Sequence, residues 1–494
     1  MSNHESFLPL AYSLSPGSEF LSKLCQSSHA MVKRTLPFLA LAGLPSVVLA
    51  ADCANTLTVG YPTPAVADGW AFRLVANGFT RPRGLIFDND GGLLVVDSGV
   101  GLIHLTLKDD GGTCLSVSEK TTLIGNRNLN HGVALSSDGS AIYVSTSDEV
   151  LSWGYNSTSV KVSGTSRTLV KDMASGGHTT RTLLASQKQP GILLVSRGSD
   201  GNMDMGTLEI GSGRSQIRSF NISSLSENSD GIEYTDGDVV GWGLRNSVGV
   251  AEHPSTGGIW SVENSVDQLQ RQGEDIHNDN PGEELNYHGT AEKPDGRNYG
   301  YPSCFTVWRT DDFPNIGSLK TGNSFAVDDA ENSMNDTTCN ADFISPRLAL
   351  PPHTAPLDIK FADDGSTAYV SFHGSWNRDE PAGYRVASIA FKDGQPTAAN
   401  DSQDAAVDLL TNPDLSKCPG SCFRPVGLAF DSKKRLWLTS DSTGEIFVLE
   451  HGGNSTNTGS SGNDDSAGSR FWPRSAVDGV MAVVFVVIAV IYMS

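Results

Sequence analysis

The chain has 494 residues, with 35 Lys and Arg against 56 Asp and Glu, a formal net charge of −21. That negative excess repels phosphate backbones and anionic lipid, which argues against nucleic acid as a partner and leaves a membrane reachable only through an anchor. The 52 glycines and 23 prolines, with few long helically periodic stretches, point to many short strands joined by turns.

In chain order, residues 1–50 read as an N-terminal extension and a secretory signal peptide. From Met31 a basic Val-Lys-Arg leads into the apolar TLPFLALAGLPSVV and then Leu49-Ala50-Ala51, predicting cleavage near Ala50. Either translation starts at Met31 or the basic region is unusually long. Cys25 precedes this signal, leaving Cys53, Cys114, Cys304, Cys339, Cys418 and Cys422, an even set suited to an oxidising compartment. Pairing of chain neighbours (53 with 114, 304 with 339, 418 with 422) closes the shortest loops. Sequons at Asn156, Asn221, Asn335, Asn400 and Asn454 fit the same secretory route.

One unit then recurs six times: an apolar strand, a turn with Asp or Gly, a second apolar strand, and a third after a short break. The copies start at Gly84, Gly132, Arg181, Gly249, Leu357 and Gly427. A single hairpin of this kind cannot bury its faces, whereas radial stacking of four-stranded blades closes the sheet edges. The fold predicted over 51–451 is therefore all-β, a six-bladed β-propeller; a β-sandwich of similar hairpins is the competing arrangement. The strand at 70–75, WAFRLV, has no partner of its own and is predicted to complete the last blade. Uneven spacing places a long insertion at about 265–350 and a shorter one after the third copy; insertions of this kind gather on one face, where ligands bind.

Polar residues that the repeat does not require cluster at strand ends: Arg81 and Arg83 in RPRG, Asn130 and His131 in NHG, His178 in HTTR, and Arg197 with Asn202 in SRGSDGN. Further along come Arg245 and Asn246 in GLRNS, His353 in PPHTAP, His373, Trp376 and Arg378 in SFHGSWNR, and Arg424 in FRPVG. In a propeller such positions converge on the central channel. Several arginines around one axis repel one another unless an anion relieves them, and planar guanidinium groups suit a polycarboxylate or a phosphate. The alternative for each is pairing with a turn aspartate of the next blade.

From about 452 the composition turns to Ser, Gly and Asn. The small residues Ser466-Ala467-Gly468 come next, then a polar spacer through Arg474 and an apolar run with no basic residue after it. Residues 452–494 thus have the layout of a linker and a glycosylphosphatidylinositol attachment signal, predicting a secreted protein tethered to the outer cell surface. A single transmembrane tail is the alternative.

Taken in order, RPRG, NHG-V-x-L, H-x-x-R-x-L, S-R-G-x-x-x-N, G-x-RNS-V-G, E-N-S-x-D-x-L, NYGYP, P-x-TAP-L, HGSWNR and RPVGLAF resemble the sorbosone and soluble glucose dehydrogenase superfamily. They are most similar to the fungal pyranose dehydrogenases that use pyrroloquinoline quinone (PQQ). The resemblance runs from about 70 to 450. It implies a propeller whose top face holds PQQ, with Ca²⁺ beside it, and oxidation of an aldose or osone at C1. By that resemblance His131 is the general base, which suits an imidazole neutral near physiological pH. Arg83, Arg197 and Arg424 grip the quinone carboxylates, Asn202 and His353 make further contacts, Trp376 forms an apolar wall, and Arg81 and Arg378 stand beside them. Backbone carbonyls around Asn264 and Ser265 hold Ca²⁺ together with quinone oxygens.

The chain departs from the bacterial glucose dehydrogenase pattern, where an aspartate precedes the base; here Asn130 does. Some fungal relatives carry a haem or carbohydrate-binding domain, and neither is read here, so electrons are expected to pass to an external acceptor, a cytochrome or a copper oxygenase. Two other readings share the scaffold. One is a Ca²⁺-dependent lactonase, which needs a Glu, Asn and Asp cluster at the channel mouth; the other is a cell-surface binding propeller without catalysis.

Overall fold

The computed structural model describes residues 53–452 apart from 175, 227 and 328–333. The signal peptide, the linker, the attachment signal and the sequon at Asn454 lie outside the described residues. Among the described residues no helix is long and apolar enough to cross a membrane.

Six sheets, antiparallel except for a short parallel strand added to blade 2 and one added to blade 3, succeed one another along the chain as blades of a propeller. Blade 1 is Pro82–Phe87, Leu93–Asp97, Gly101–Asp109 and Leu115–Ile124. Blade 2 is Val133–Leu135, Ala141–Ser145, Val150–Asn156 and Lys161–Lys171, edged by Ile232–Glu233. Blade 3 is Leu183–Ala185, Ile192–Arg197, Gln216–Asn221 and Asp238–Trp242, with Arg297–Asn298 added. Blade 4 is Ser247–Glu252, Gly258–Glu263, Glu283–Thr290 and Leu348–Leu350. Blade 5 is Pro356–Phe361, Thr367–Phe372, Arg385–Lys392 and Ala406–Thr411, edged by Ala65–Val66.

Blade 6 is Pro425–Phe430, Leu436–Ser440 and Glu445–His451, and its fourth strand is Trp70–Ala76 from the other end of the chain. Trp70 pairs with His451 and Ala76 with Ile446. The strand predicted to close the ring does so.

A sandwich has one core between two sheets; among the described residues a separate core lies between each pair of neighbouring blades. Side chains alternate across a strand, so each blade feeds both neighbours. In the blade 1 strand Leu93–Asp97, Leu93 and Val95 pack against Trp437, Ile446 and Val448 of blade 6. Leu94 and Val96 pack against Leu135, Ile142 and Val144 of blade 2. The same division recurs between blades 2 and 3, 3 and 4, 4 and 5, and 5 and 6. The strand residues are accordingly apolar at both parities, as sheets buried on both faces require.

The glycine that opens most copies of the repeat has a steric reason. A Cβ on Gly84 would stand 2.3 Å from the His131 carbonyl oxygen, one on Gly132 2.3 Å from that of Arg181, and one on Gly427 2.4 Å from that of Arg83. Each innermost strand therefore presses its backbone onto the segment leading into the next blade, which any side chain would forbid.

The long insertion leaves blade 4 at two points, 264–282 and 291–347, and builds its own small core from Val266, Leu269, Ile276, Tyr301, Phe305, Val307, Phe313 and Phe325. The disulfides are Cys53–Cys114, Cys304–Cys339 and Cys418–Cys422, the pairs that neighbour pairing predicted. The second staples this insertion and the first ties the N-terminal segment to blade 1.

Candidate active site

Every innermost strand starts on the same face, and the turn between each blade's second and third strands returns to it. Most of the polar residues singled out at strand ends on that face fall into two hydrogen-bonded groups.

The first group joins blades 1, 5 and 6. Arg83 Nη1 lies 2.7 Å from Asp441 Oδ2, and His373 Nε2 donates to Asp441 Oδ1 at 2.8 Å. Arg424 donates from Nε to the His373 carbonyl at 3.1 Å and from Nη2 to the Gly374 carbonyl at 2.7 Å, its guanidinium over the Tyr384 ring. Burial alone would raise the Asp441 carboxyl, but His373 and Arg83 outweigh it and hold the group far below the usual carboxylate range. Burial, with Arg424 and Arg83 adding to it, pushes His373 down despite Asp441.

The second group joins blades 3, 4 and 5 around Asp267. Its Oδ2 takes Arg245 Nη2 at 3.1 Å, its Oδ1 takes Asn377 Nδ2 at 2.6 Å, and His353 Nδ1 lies 3.5 Å from Oδ1. Asn202 donates to the Asp267 carbonyl at 2.8 Å and accepts from Arg245 Nη2 at 2.9 Å. His353 Nε2 donates to the His277 carbonyl at 2.6 Å, and Tyr301 pins the 201–204 loop through the Asn202 carbonyl at 3.0 Å. His178 reaches Ser199 Oγ at 2.9 Å, and burial with the charge of Arg245 lowers it to about 4.

His131, on the side of the first group, is 4% exposed, its Nδ1 buried with no hydrogen-bond partner among the described residues. Burial first, then the charges of Arg83 and Lys360, drive it well below the ordinary imidazole value, Asp441 pulling the other way. The ring is therefore neutral at physiological pH, the form that accepts a proton. The preceding Asn130 is tied to the Thr179 carbonyl at 2.8 Å, and its own Oδ1 is buried without a partner among the described residues.

The residues singled out in the sequence are thus not equivalent. Arg83 and Arg424 share the His373–Asp441 pair. Arg197 lies on the blade 2–3 side, over Tyr234, held by the carbonyls of Ala174 at 3.1 Å and Ser212 at 3.3 Å, with a buried Nε that no described residue meets. The turn-aspartate alternative holds for Arg83, while Arg197 and Arg424 bond to carbonyls, which leave a guanidinium its full charge. Asn202 and His353 meet at Asp267. Trp376 stands 67% exposed on the blade 5 turn of this face. Arg81 is exposed, and its backbone amide donates to Asp97 Oδ1 at 2.7 Å. Arg378 braces its loop through the carbonyls of Asn278 and Glu380.

At Asn264 and Ser265 the backbone is fixed by buried carboxyls. Glu263 accepts from the Asn246 amide and the Ser247 hydroxyl, and Glu283 takes the Ser265 amide at 2.6 Å. Burial raises each of these acids to about 8. The Asn264 carbonyl accepts from Arg245 Nη1 at 3.2 Å. Among the described residues no three His, Cys, Asp or Glu side chains are grouped to hold a metal.

Sequence reasoning missed Asp441 and Lys360. Asp441 sits in the turn SDSTG, where an aspartate serves the turn in most repeats, so composition could not separate it; its position opposite RPRG in the closed ring is what marks it.

The TrAA12-like family model matches residues 64–452. The chain belongs to the TrAA12-like family. It is 52% identical over 402 residues to a pyrroloquinoline quinone-dependent sugar dehydrogenase of Hypocrea jecorina, covering 80% of this chain and 91% of that protein. A pyrroloquinoline quinone-dependent pyranose dehydrogenase of Coprinopsis cinerea is 39% identical over 411 residues, 79% of this chain and 56% of that longer protein. Among solved structures, the calcium structure of Trichoderma reesei Carbohydrate-Active Enzymes Family AA12 superposes with a TM-score of 0.79 at 52% identity, over 81% of this chain and 99% of that one. The holo form of the Coprinopsis cinerea pyranose dehydrogenase PQQ domain gives 0.75 at 38% identity, over 80% and 98%.

Proposed function

We propose that this TrAA12-like chain is an extracellular, PQQ-dependent sugar dehydrogenase that oxidises an aldose or osone at C1 with His131 as base and passes the electrons to an external acceptor. One observation carries the reading: a buried, neutral imidazole with an unpartnered nitrogen stands on the same face as several guanidinium groups. The donor set suits the quinone, because Arg83, Arg424 and Arg197 offer charge-assisted hydrogen bonds to carboxylates. Asn202, His353 and the aromatic Trp376 complete the surroundings, with Arg81 and Arg378 at the rim. Ca²⁺ is assigned to the Asn264 and Ser265 carbonyls, where it would act as a Lewis acid. When bound, the quinone supplies the two-electron acceptor for the sugar's hydride.

The chain's own residues do the rest. His131 takes the C1 hydroxyl proton, which raises the electron density that expels the hydride. Asp441 fixes Arg83 and His373, and Asp267 fixes Arg245, Asn202 and His353, so the site's cations are oriented before any ligand arrives. The sequons, the disulfides and the Ser-Gly-Asn-rich tail support secretion and a lipid tether on the cell surface; Asn156, Asn221, Asn335 and Asn400 are all accessible.

The test is reconstitution. Purified protein titrated with PQQ and Ca²⁺ should acquire the quinone's absorption and then reduce a dye when given aldoses or osones. His131→Gln should keep the absorption and lose turnover about 10²- to 10⁴-fold. Quinone binding without dye reduction by any sugar would instead support a binding propeller, and failure to bind it would overturn the oxidoreductase reading.

A further inference from the structure

Below His131 the axis of the ring is open. A cavity of about 370 Å³ runs between the innermost strands, from His131, Gly132 and Thr182 to Gln187, Asp363 and Phe430 at the turns of the opposite face. Its wall is largely backbone and apolar, and one cation lines it. Lys360 stands on the innermost strand of blade 5, its ammonium 2.6 Å from Asp358 Oδ1. The other oxygen of Asp358 accepts the Leu428 amide of blade 6 at 2.8 Å, which ties the carboxylate to the ring, while the lysine stays partly exposed.

We propose that Lys360 is a positioning residue of the site, its ammonium acting through the axial cavity that it lines together with His131 and adding to burial and Arg83 against a second positive charge on the ring. The inference rests on the reading of His131 as base. A narrow channel with low-dielectric walls carries a charge's field farther than open water does. The other charged groups facing His131 do not make Lys360 redundant. Arg83 acts on His131 in the same sense as Lys360 and more strongly, and Asp441, its partner at 2.7 Å, offsets it only in part, so the effect of Lys360 adds to that of Arg83. Arg181 of blade 3 turns its guanidinium to the carbonyls of Met173, His178 and Thr180. Glu252 of blade 4, at the far end of the cavity, takes the Ser186 hydroxyl and the Gln187 and Lys188 amides. Asp363 lies at the same far mouth. Asp358 partly offsets Lys360, and removing the lysine would leave that carboxylate uncompensated, which pushes His131 in the same direction.

The experiment is the pH profile of kcat/KM for sugar oxidation by the quinone-loaded holoenzyme with a saturating dye acceptor. His131 works unprotonated, so activity falls on its acid side. Lys360→Met should move that acid limb to higher pH by a few tenths of a unit or more, whereas Lys360→Arg should restore the wild-type limb. If Lys360→Met does not accumulate as folded protein, Lys360→Gln carries the same expectation. The proposal is overturned if the limb of the neutral variant superimposes on wild type, or if Lys360→Arg shifts as far as Lys360→Met, which would betray a packing effect. His131→Gln run alongside keeps the two readings apart. Normal turnover there removes the base and the inference with it, while a dead His131→Gln with an unmoved Lys360→Met limb removes the inference alone.

Discussion

Asp441 is the residue on which the first half of the site turns, because one carboxylate holds a guanidinium from blade 1 and an imidazole from blade 5. Both partners are poorly hydrated, so removing the carboxylate strands them. Asp441→Asn is expected to cost up to about 3 kcal/mol of stability and to weaken quinone binding by freeing Arg83; thermal denaturation and a PQQ titration read the two effects. The pH dependence has a defined sign. The folded-state value of this carboxyl lies below its ordinary value of about 3.9, so its stabilisation is complete above that pH and lost as pH falls below it. Melting curves taken from neutral pH down to strong acid should therefore drop more steeply for wild type than for Asp441→Asn. A parallel slope would mean that the pair does not contribute. Burial holds His131 below the ordinary imidazole value, so with His131 as the proposed base the acid limb of catalysis should lie below it too. A limb at or above about 6.5 would contradict the arrangement described.

At the scale of the element, the repeat glycine is the feature that both revealed the fold and shapes the site. Gly84→Ala would drive a methyl group into the His131 carbonyl, and such overpacking costs about 1–3 kcal/mol. Because the displaced backbone carries His131, the proposed base, turnover should fall further than stability explains. Gly125→Ala, where nothing lies within 4 Å, is the control and should stay within about 0.5 kcal/mol of wild type. The same contrast explains what could be read from sequence. Innermost strands, hairpin turns and neighbour disulfides are local, set by a few consecutive residues, and they are visible in the order of the letters. The partner of Arg83 lies in blade 6, 358 residues away, and Lys360 alternates along an ordinary strand, PLDIKF. Neither carries a local mark; ring closure alone gives them meaning. Arg197 looked like Arg83 and Arg424 in sequence because all three stand at strand ends, yet blade number decides which neighbours each one meets.

For the molecule as a whole, the ring is closed by Trp70–Ala76, a strand that precedes all six blades in the chain and pairs with the last of them to form a seam. Deleting the residues before Asn77 would leave Glu445–His451 as an open edge with unpaired amides, a template for association. Such a truncation is expected to lower the melting temperature and to elute as oligomers in size-exclusion chromatography; a monomeric product of wild-type stability would show that closure is dispensable. Cys114→Ser tests the same seam more gently, since the Cys53–Cys114 bond spans 61 residues and constrains the unfolded chain by roughly 2–4 kcal/mol. The seam also sets an orientation. His451 pairs with Trp70 at the end of blade 6 remote from Asp441, so the polypeptide departs from the ring on the side away from the site. Gly452, the last residue described, therefore lies at the rim of the ring opposite its arginine-rich mouth.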